Sequence, residues 1–176
     1  FCSCELCKKV RQTRGKDIRT RSSAIIDERL KLDFGPDSFL QMMRFDLDYS
    51  NLTNVLITHT HEDHLCIGEL FCRLEGLSQV SDNVPTLYVY GNEHVGDMLA
   101  TRKTKRLEFV QMYPFQPVEI DGYVVTPLEA VHCFSKLGNG EYQISFNDRL
   151  IDRTEQALMY LIEKDGQSIL YAHDSG

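Results

Sequence analysis

The apolar residues of this chain fall in short runs separated by polar turns, a pattern typical of short β-strands with a few helices between them. The predicted strands cover residues 23–26, 30–33, 53–58, 86–90, 106–112, 118–121, 123–128, 157–163 and 168–172. The first two strands form a hairpin around Asp27-Glu28-Arg29, and the last two form a hairpin around Asp165-Gly166.

Two segments between the strands carry helical signals. Residues 64–77 are predicted to form a helix because four large apolar residues share one face, namely Leu70, Phe71, Leu74 and Leu77. Asn92 can cap a second helix that runs to about Arg102. Helices that alternate with strands and hairpins predict a mixed α/β layered domain.

The chain of 176 residues is long enough for one domain with one buried core. It opens on Phe1-Cys2-Ser3-Cys4 without an initiator Met and stops two residues after Asp174, directly behind an apolar strand. We therefore expect residues 1–176 to form a single domain that is incomplete at both ends. Residues 1–22 are expected to form a Cys-rich and basic segment of that domain.

The charge is acidic overall but uneven, with a net charge of -7 for the whole chain. Residues 1–21 carry seven basic residues against two acidic ones. An acidic chain is not expected to coat nucleic acid, whereas the basic segment is either a solvated arm or a local patch for a phosphate-bearing partner. No apolar run approaches the roughly 20 residues of a membrane-spanning helix, so no membrane partner is expected.

The strongest chemical signal is the run Thr58-His59-Thr60-His61-Glu62-Asp63-His64, directly after an apolar strand. Imidazole and carboxylate groups together suit Zn, Mn or Fe. On an extended chain His59 and His61 point the same way and can bind one ion. Asp63 and His64 follow one turn later and can reach a second ion. Burying these side chains without a metal would leave hydrogen bonds unsatisfied.

This His-x-His-x-Asp-His run after a short strand resembles the signature of the metallo-β-lactamase fold superfamily. Three further positions match the pattern of that family in the same order. Leu32-Asp33-Phe34-Gly35 resembles its early Asp-x-Gly turn, His132 resembles its third metal-binding histidine, and Asp174 resembles its bridging carboxylate. The resemblance implies a four-layer αββα sandwich with a binuclear metal site at the edge between its two sheets.

The resemblance also implies a role for each matching residue. The implied ligands of the first ion are His59, His61, His132 and Asp174. The implied ligands of the second ion are Asp63, His64 and Asp174. Asp33 would orient a ligand histidine, and Asp63 would be both a ligand and a proton acceptor. In this family a last histidine of the second ion follows the bridging carboxylate, beyond the residues present here.

Cys2-x-Cys4-x-x-Cys7 places three thiols within six residues, which suits a structural zinc site that needs one ligand more. Disulfides explain the motif poorly, because three cysteines cannot all pair. The other cysteines are predicted to be small buried residues, namely Cys66, Cys72 and Cys133. With its basic stretch the motif resembles one branch of the superfamily, the phosphoribosyl cyclic phosphate phosphodiesterases, in which a distal histidine completes the zinc site.

Other residues are assigned no metal. His94 is predicted to be a surface residue at a helix start, and His173 is predicted to point to the opposite face from Asp174. Residues 134–153 are predicted to be an insertion. This insertion either overhangs the site, with Lys136 and Arg149 as phosphate contacts, or forms an inert surface hairpin.

The resemblance implies a binuclear hydrolase of small cyclic ribose phosphodiesters that uses two divalent ions, Zn or Mn, to share an activated hydroxide. An RNA-processing nuclease, a thioester or lactam hydrolase and a non-catalytic PqqB-like accessory protein stay open as alternatives. The expected partner is a small phosphodiester substrate rather than nucleic acid or a membrane, and a homodimer is left open. Free thiols favour a reducing cytoplasm as the location.

Overall fold

The computed structural model describes residues 2–73, 79, 82–101, 104–130, 132, 134–136, 142–144 and 155–175. The strands of the first sheet are β1 Ala24–Ile26, β2 Leu30–Leu32, β3 Asn54–Leu56, β4 Leu87–Gly91 and β5 Leu107–Gln111. They lie side by side in the order β1-β2-β3-β4-β5. β1 and β2 are antiparallel, and β2 through β5 are parallel.

The second sheet is antiparallel, with the order β11-β10-β7-β6. Its strands are β6 Val118–Ile120, β7 Tyr123–Ala130, β10 Ala157–Lys164 and β11 Gln167–Tyr171. A separate antiparallel pair comprises β8 Phe134–Lys136 and β9 Tyr142–Ile144. The predicted hairpin turn between β10 and β11 is confirmed, since Asp165 and Gly166 both have positive φ.

Helices occupy four stretches of the described residues. They are α1 Glu5–Thr13, α2 Ser38–Phe45, α3 Ile67–Phe71 and α4 Glu93–Ala100, with short 3₁₀ helices at Gly15–Asp17 and Tyr49–Asn51. The predicted cap of α4 is confirmed, because the Asn92 side chain accepts a hydrogen bond from the backbone N–H of Val95. In the part of the chain that is described, no helix is both long and apolar enough to cross a membrane.

The central strands bury both faces, which explains their continuous apolar runs. In β3, Val55 contributes to a core with α3 and α4, whereas its neighbour Leu56 contributes to a core between the two sheets. The second sheet reaches that inner core through Tyr160 and Ile162. The described chain therefore consists of a helical layer and two sheets packed face to face, which confirms the predicted mixed α/β layered class.

The helix predicted over residues 64–77 is shorter than expected and begins later. Phe34 and Leu65 form a parallel β-bridge, and the backbone N–H of Cys66 donates to the carbonyl of Phe34. His64 lies in a turn, and this pairing with the segment after β2 keeps Leu65 and Cys66 out of the helix, so α3 begins only at Ile67. Residues 74–78 lie outside the described residues.

Two helices were not expected from the pattern. α1 contains no buried residue, and α2 buries only the polar side chains Ser38 and Gln41. Both helices therefore lack the apolar face that a prediction from periodicity needs. The prediction that Cys72 is buried is wrong, since this residue is exposed just after α3, and Cys66 is half-buried. Cys133 lies outside the described residues.

Candidate metal centre

The predicted metal ligands come from loops that each begin where a strand ends. Residues 58–64 follow β3, His132 lies two positions after β7, and Asp174 lies three positions after β11. The two sheets are joined at this edge, because the N–H of Leu158 donates to the carbonyl of Thr58 over 2.9 Å. This hydrogen bond holds the loop after β3 against the start of β10, so the site lies at the edge between the two sheets.

Three imidazoles converge on one point. His59 Nε2 lies 3.0 Å from His61 Nδ1, and His132 Nε2 lies 3.2 Å from the same His61 nitrogen. Zn–N bonds in a tetrahedral site place neighbouring ligand nitrogens about 3.3 Å apart. The spacing of the three nitrogens therefore fits one divalent ion bound by His59, His61 and His132.

A second group of donors is centred on His64. Its Nε2 lies 2.9 Å from Asp174 Oδ2 and 3.6 Å from Asp63 Oδ2. The same Asp174 oxygen is 3.7 Å from His132 Nε2, so this carboxylate lies between the two groups of donors. The carboxylate thus occupies a position that suits a bridging ligand. We call the six residues together the His/Asp cluster; they are His59, His61, Asp63, His64, His132 and Asp174.

Asp33 supports the cluster from behind and is itself fully buried. Its Oδ2 lies 2.7 Å from His64 Nδ1, which directs the other ring nitrogen of His64 towards Asp174. The carboxylate also accepts hydrogen bonds from the Thr58 backbone N–H at 2.8 Å and from the Tyr171 hydroxyl at 3.0 Å. This arrangement is what the predicted orienting role of Asp33 requires.

The protonation states of two of the histidines suit metal binding. Burial, together with the neighbouring histidines, lowers the pKa of His59 to about 2, and burial also lowers the pKa of His132. Both are therefore neutral near pH 7, the form that binds a metal. Burial alone would lower the pKa of His64, but the hydrogen bond and charge of Asp33, aided by Asp63 and Asp174, raise it. The carboxylates thus favour positive charge on this side of the cluster.

Gly35 is needed for close packing beneath the cluster. A Cβ at this position would lie 2.2 Å from the carbonyl oxygen of Asp63. Only glycine lets the turn after β2 approach the loop that carries Asp63 and His64 so closely. The Asp-x-Gly pattern is thereby explained, because Asp33 contacts His64 while Gly35 makes room for the Asp63 backbone.

The structure also shows side chains that the sequence motifs did not identify. The hydroxyls of Thr58 and Tyr171 both donate to Asp33 behind the cluster, and Glu155 accepts a hydrogen bond from the loop that carries His59 and His61. The prediction for His173 is wrong in direction, because β11 ends at Tyr171 and strand alternation does not extend to residue 173. His173 Nδ1 lies 3.0 Å from Asp174 Oδ1, although the ring is half exposed.

Of the other predicted residues, His94 lies beside Glu93, and the side chains of two more lie outside the described residues. His94 is partly buried in the first turn of α4, and its Nε2 is 3.9 Å from Glu93 Oε1. Arg149 and the side chain of Lys136 lie outside the described residues, so their predicted contacts with phosphate stay predictions.

The three N-terminal thiols also lie together, and we call Cys2, Cys4 and Cys7 the thiol cluster. Their sulfur atoms are all within 4.8 Å of one another. Cys4 is the N-cap of α1, and its sulfur accepts a hydrogen bond from the N–H of Cys7 at 3.5 Å. This bond, with help from the Cys2 side chain, lowers the pKa of Cys4 to about 7. A thiolate is the form that binds zinc.

The comparison with known families agrees with this geometry. Residues 28–176 match the model of the beta-lactamase superfamily domain, so the chain belongs to that superfamily. The predicted resemblance to the metallo-β-lactamase fold is therefore confirmed, and the chain carries a His/Asp metal-binding cluster at the expected edge. A search of curated proteins found no match by sequence.

Solved structures share the fold at low identity. Zn(2+)-bound PqqB from Methylobacterium extorquens has a TM-score of 0.64 and 17% identity, over 96% of this chain and 58% of that chain. A diphosphatase from the PhnP family has a TM-score of 0.61 and 18% identity, over 92% and 54%. The short form of human tRNase Z has a TM-score of 0.57 and 16% identity, over 86% and 61%. The chain thus spans little more than half the length of these structures.

Proposed function

We propose that this protein is a metal-dependent phosphodiesterase that hydrolyses a small cyclic ribose phosphodiester. The observation that carries the proposal is the convergence of two donor groups on a shared edge, with the Asp174 carboxylate between them. The proposal includes two divalent ions, Zn or Mn, at the His/Asp cluster and one structural Zn at the thiol cluster. When bound, the two ions would supply Lewis acidity and make water a nucleophile at neutral pH.

The residues of the cluster have separate tasks in this proposal. The histidines that are neutral at pH 7, His59 and His132, hold metal without adding positive charge. Asp33 keeps His64 in the tautomer that leaves its Nε2 free to act as a ligand. Asp63 is half exposed beside His64, so its carboxylate can take the proton that the attacking water loses.

The class of substrate is supported by three observations outside the cluster. The thiol cluster with its basic stretch matches the pattern of the cyclic phosphate phosphodiesterase branch. A PhnP-family diphosphatase is also among the structures that share the fold. The acidic net charge of -7 favours a small phosphodiester over a long RNA.

The proposal is tested by a substrate panel. The protein, loaded with Zn or with Mn, is given a ribose 1,2-cyclic phosphate, a bis-aryl phosphate, a precursor tRNA and a thioester. We expect the cyclic ribose phosphate to be hydrolysed fastest. The Asp63→Ala variant is expected to lose hydrolysis while keeping the metal of the thiol cluster. His94→Ala replaces a histidine whose ring lies beside Glu93 on α4, serves as the matched control and should stay active.

Each other outcome identifies an alternative. Preferred cleavage of precursor tRNA would support an RNA-processing nuclease, and preferred thioester cleavage would support another hydrolase of the superfamily. Bound metal without hydrolysis of any substrate would support a non-catalytic accessory protein. Full activity of Asp63→Ala would rule out the role that we assign to this carboxylate.

A further inference from the structure

A carboxylate from the second sheet contacts the loop that carries the first two histidines. Glu155, two residues before β10, accepts a hydrogen bond from the backbone N–H of Thr60 at 2.8 Å. Its other oxygen accepts a hydrogen bond from the Thr60 hydroxyl. Thr60 lies between His59 and His61 in sequence, so Glu155 accepts hydrogen bonds from both donor groups of the residue that separates two ligands.

The carboxylate is held in place from a third direction. The Asn92 side-chain amide donates to Glu155 Oε1 over 2.7 Å and to the carbonyl of Gln156 over 2.9 Å. Asn92 is itself fixed as the N-cap of α4, because its side-chain oxygen accepts from the N–H of Val95. Glu155 therefore connects the second sheet, the start of α4 and the loop after β3.

The direction of Thr60 determines the direction of its neighbours. On an extended chain, residues one position apart point to opposite sides. With the Thr60 side chain held by Glu155, the imidazoles of His59 and His61 are both turned towards the other side, where His132 lies. A loop that was free to rotate about Thr60 would lose this convergence.

We propose that Glu155 is a positioning residue that fixes the His59–His61 loop for metal binding. It does so through Thr60 and without contacting a metal ligand side chain. The inference rests on the proposed function only as far as metal binding at the His/Asp cluster. The Glu155 carboxylate accepts three hydrogen bonds, from the Thr60 N–H, the Thr60 hydroxyl and the Asn92 amide, so each of these donors has an acceptor.

The experiment measures zinc affinity by competition with a chelator, in a Cys2/Cys4/Cys7→Ser background so that only the His/Asp cluster is counted. We expect Glu155→Ala to weaken binding about 10–100-fold, the usual effect of removing a group that orients ligands. Hydrogen exchange of the Thr60 amide in the metal-free protein should be at least about tenfold faster, since exchange reports the loss of local protection.

The conservative variant separates positioning from charge. In Glu155→Gln, the amide oxygen can still accept from Thr60 N–H and Asn92, and the amide NH₂ can donate to the Thr60 hydroxyl oxygen. We therefore expect the zinc affinity of Glu155→Gln to be close to that of the background protein. Thr60→Val, which removes only the hydroxyl, should give an intermediate loss and remains informative if Glu155→Ala does not fold. Glu163→Ala, an exposed glutamate on β10, is the matched control and should change nothing.

The results distinguish this inference from the proposed function. An affinity of Glu155→Ala within twofold of the background would overturn the positioning role, even if its melting temperature fell. The variants could show the expected losses of zinc affinity in a protein that hydrolyses no phosphodiester. That result would overturn the proposed function and leave the role of Glu155 intact. A background protein that binds no zinc would overturn both.

Discussion

The thiol cluster and the His/Asp cluster are built in opposite ways. The thiol cluster comes from residues 2–7 alone, at and just before the start of a helix that has no buried residue. The His/Asp cluster is assembled by long-range contacts, such as the contact between His64 Nε2 and Asp174 Oδ2, two residues that are 110 positions apart. The thiols are therefore close together because they are neighbours in sequence, whereas the histidines and carboxylates are close together only in the folded structure.

This difference has an energetic consequence. Side chains that support the His/Asp cluster are buried and hydrogen-bonded in the fold without any metal, so replacing them should destabilise the metal-free protein. The thiols are largely exposed, so replacing them should change metal binding and little else. The following predictions test this contrast, beginning with the change that should have the largest effect.

Asp33→Ala should reduce the stability of the metal-free protein more than any other change considered. It removes a fully buried carboxylate and leaves the polar groups of Thr58, His64 and Tyr171 without their acceptor. We expect the free energy of unfolding of the metal-free protein to fall by about 3–5 kcal/mol, as when one member of a buried charged pair is removed. Urea unfolding measures the loss, and Asp97→Ala, an exposed aspartate on α4, is the control. Equal stability of the two variants would contradict the view that the buried support of the His/Asp cluster stabilises the metal-free fold.

Gly35→Ala should have the next largest effect. The added methyl group would lie 2.2 Å from the Asp63 carbonyl oxygen, so the loop with Asp63 and His64 must shift. We expect a loss of about 1–3 kcal/mol in stability, typical of overpacking, together with weaker zinc binding. Thermal unfolding and chelator competition measure the two effects.

The control for this variant is another glycine. Gly68 lies in α3, and a Cβ there would meet nothing within 4 Å. Gly68→Ala should therefore be neutral or stabilise the protein by up to about 1 kcal/mol through helix propensity. If both alanine variants behaved alike, the close approach of Gly35 to the Asp63 loop would have no energetic importance.

These two sites show how far sequence reasoning reached. The order of Asp33, Gly35, the His-x-His-x-Asp-His run, His132 and Asp174 predicted the fold because it resembles the pattern of the metallo-β-lactamase superfamily. The structure brings the metal-binding side chains of this pattern together, as the resemblance implied. Glu155 could not be found in this way. It contacts Thr60 across 95 positions, and an isolated glutamate before a strand carries no spacing signal. α1 and α2 were missed for a similar reason, since neither presents a buried apolar face to the core.

Lys31 is a buried charged residue whose replacement should change stability less than the two substitutions above. Its ammonium lies over the rings of Phe34 and Tyr49, at 5.4 and 5.3 Å from their centroids, and donates to Ser23 Oγ. Burial lowers its pKa from 10.5 to about 8, partly opposed by the charge of Asp33. Replacing such a buried charge with an apolar side chain often stabilises a protein, so we expect Lys31→Met to gain about 1–2 kcal/mol at pH 7.

The pH dependence of this gain has a definite sign. Between pH 8 and 10.5 the unfolded chain keeps its proton on Lys31 while the folded protein has lost it. The unfolded state then binds more protons, so the wild type becomes more stable as pH rises through this window, relative to the variant. The advantage of Lys31→Met should therefore shrink from pH 7 to pH 10.5 in urea unfolding. A constant advantage would show that folding does not lower the pKa of Lys31.

The smallest effect on stability is expected from the Cys2/Cys4/Cys7→Ser triple variant. In the wild type, the Cys4 sulfur caps α1 by accepting a hydrogen bond from the N–H of Cys7. Serine is itself a strong N-cap, so its hydroxyl at position 4 can accept the same bond. Because the thiols are largely exposed, unfolding of the metal-free protein should change by less than about 0.5 kcal/mol. Elemental analysis should nevertheless show one metal fewer per chain, since serine does not replace thiolate as a zinc ligand. An unchanged metal count would mean that the thiols bind no metal. Loss of every metal would mean that the two clusters depend on each other, and that the exposed segment contributes to the order of the buried site.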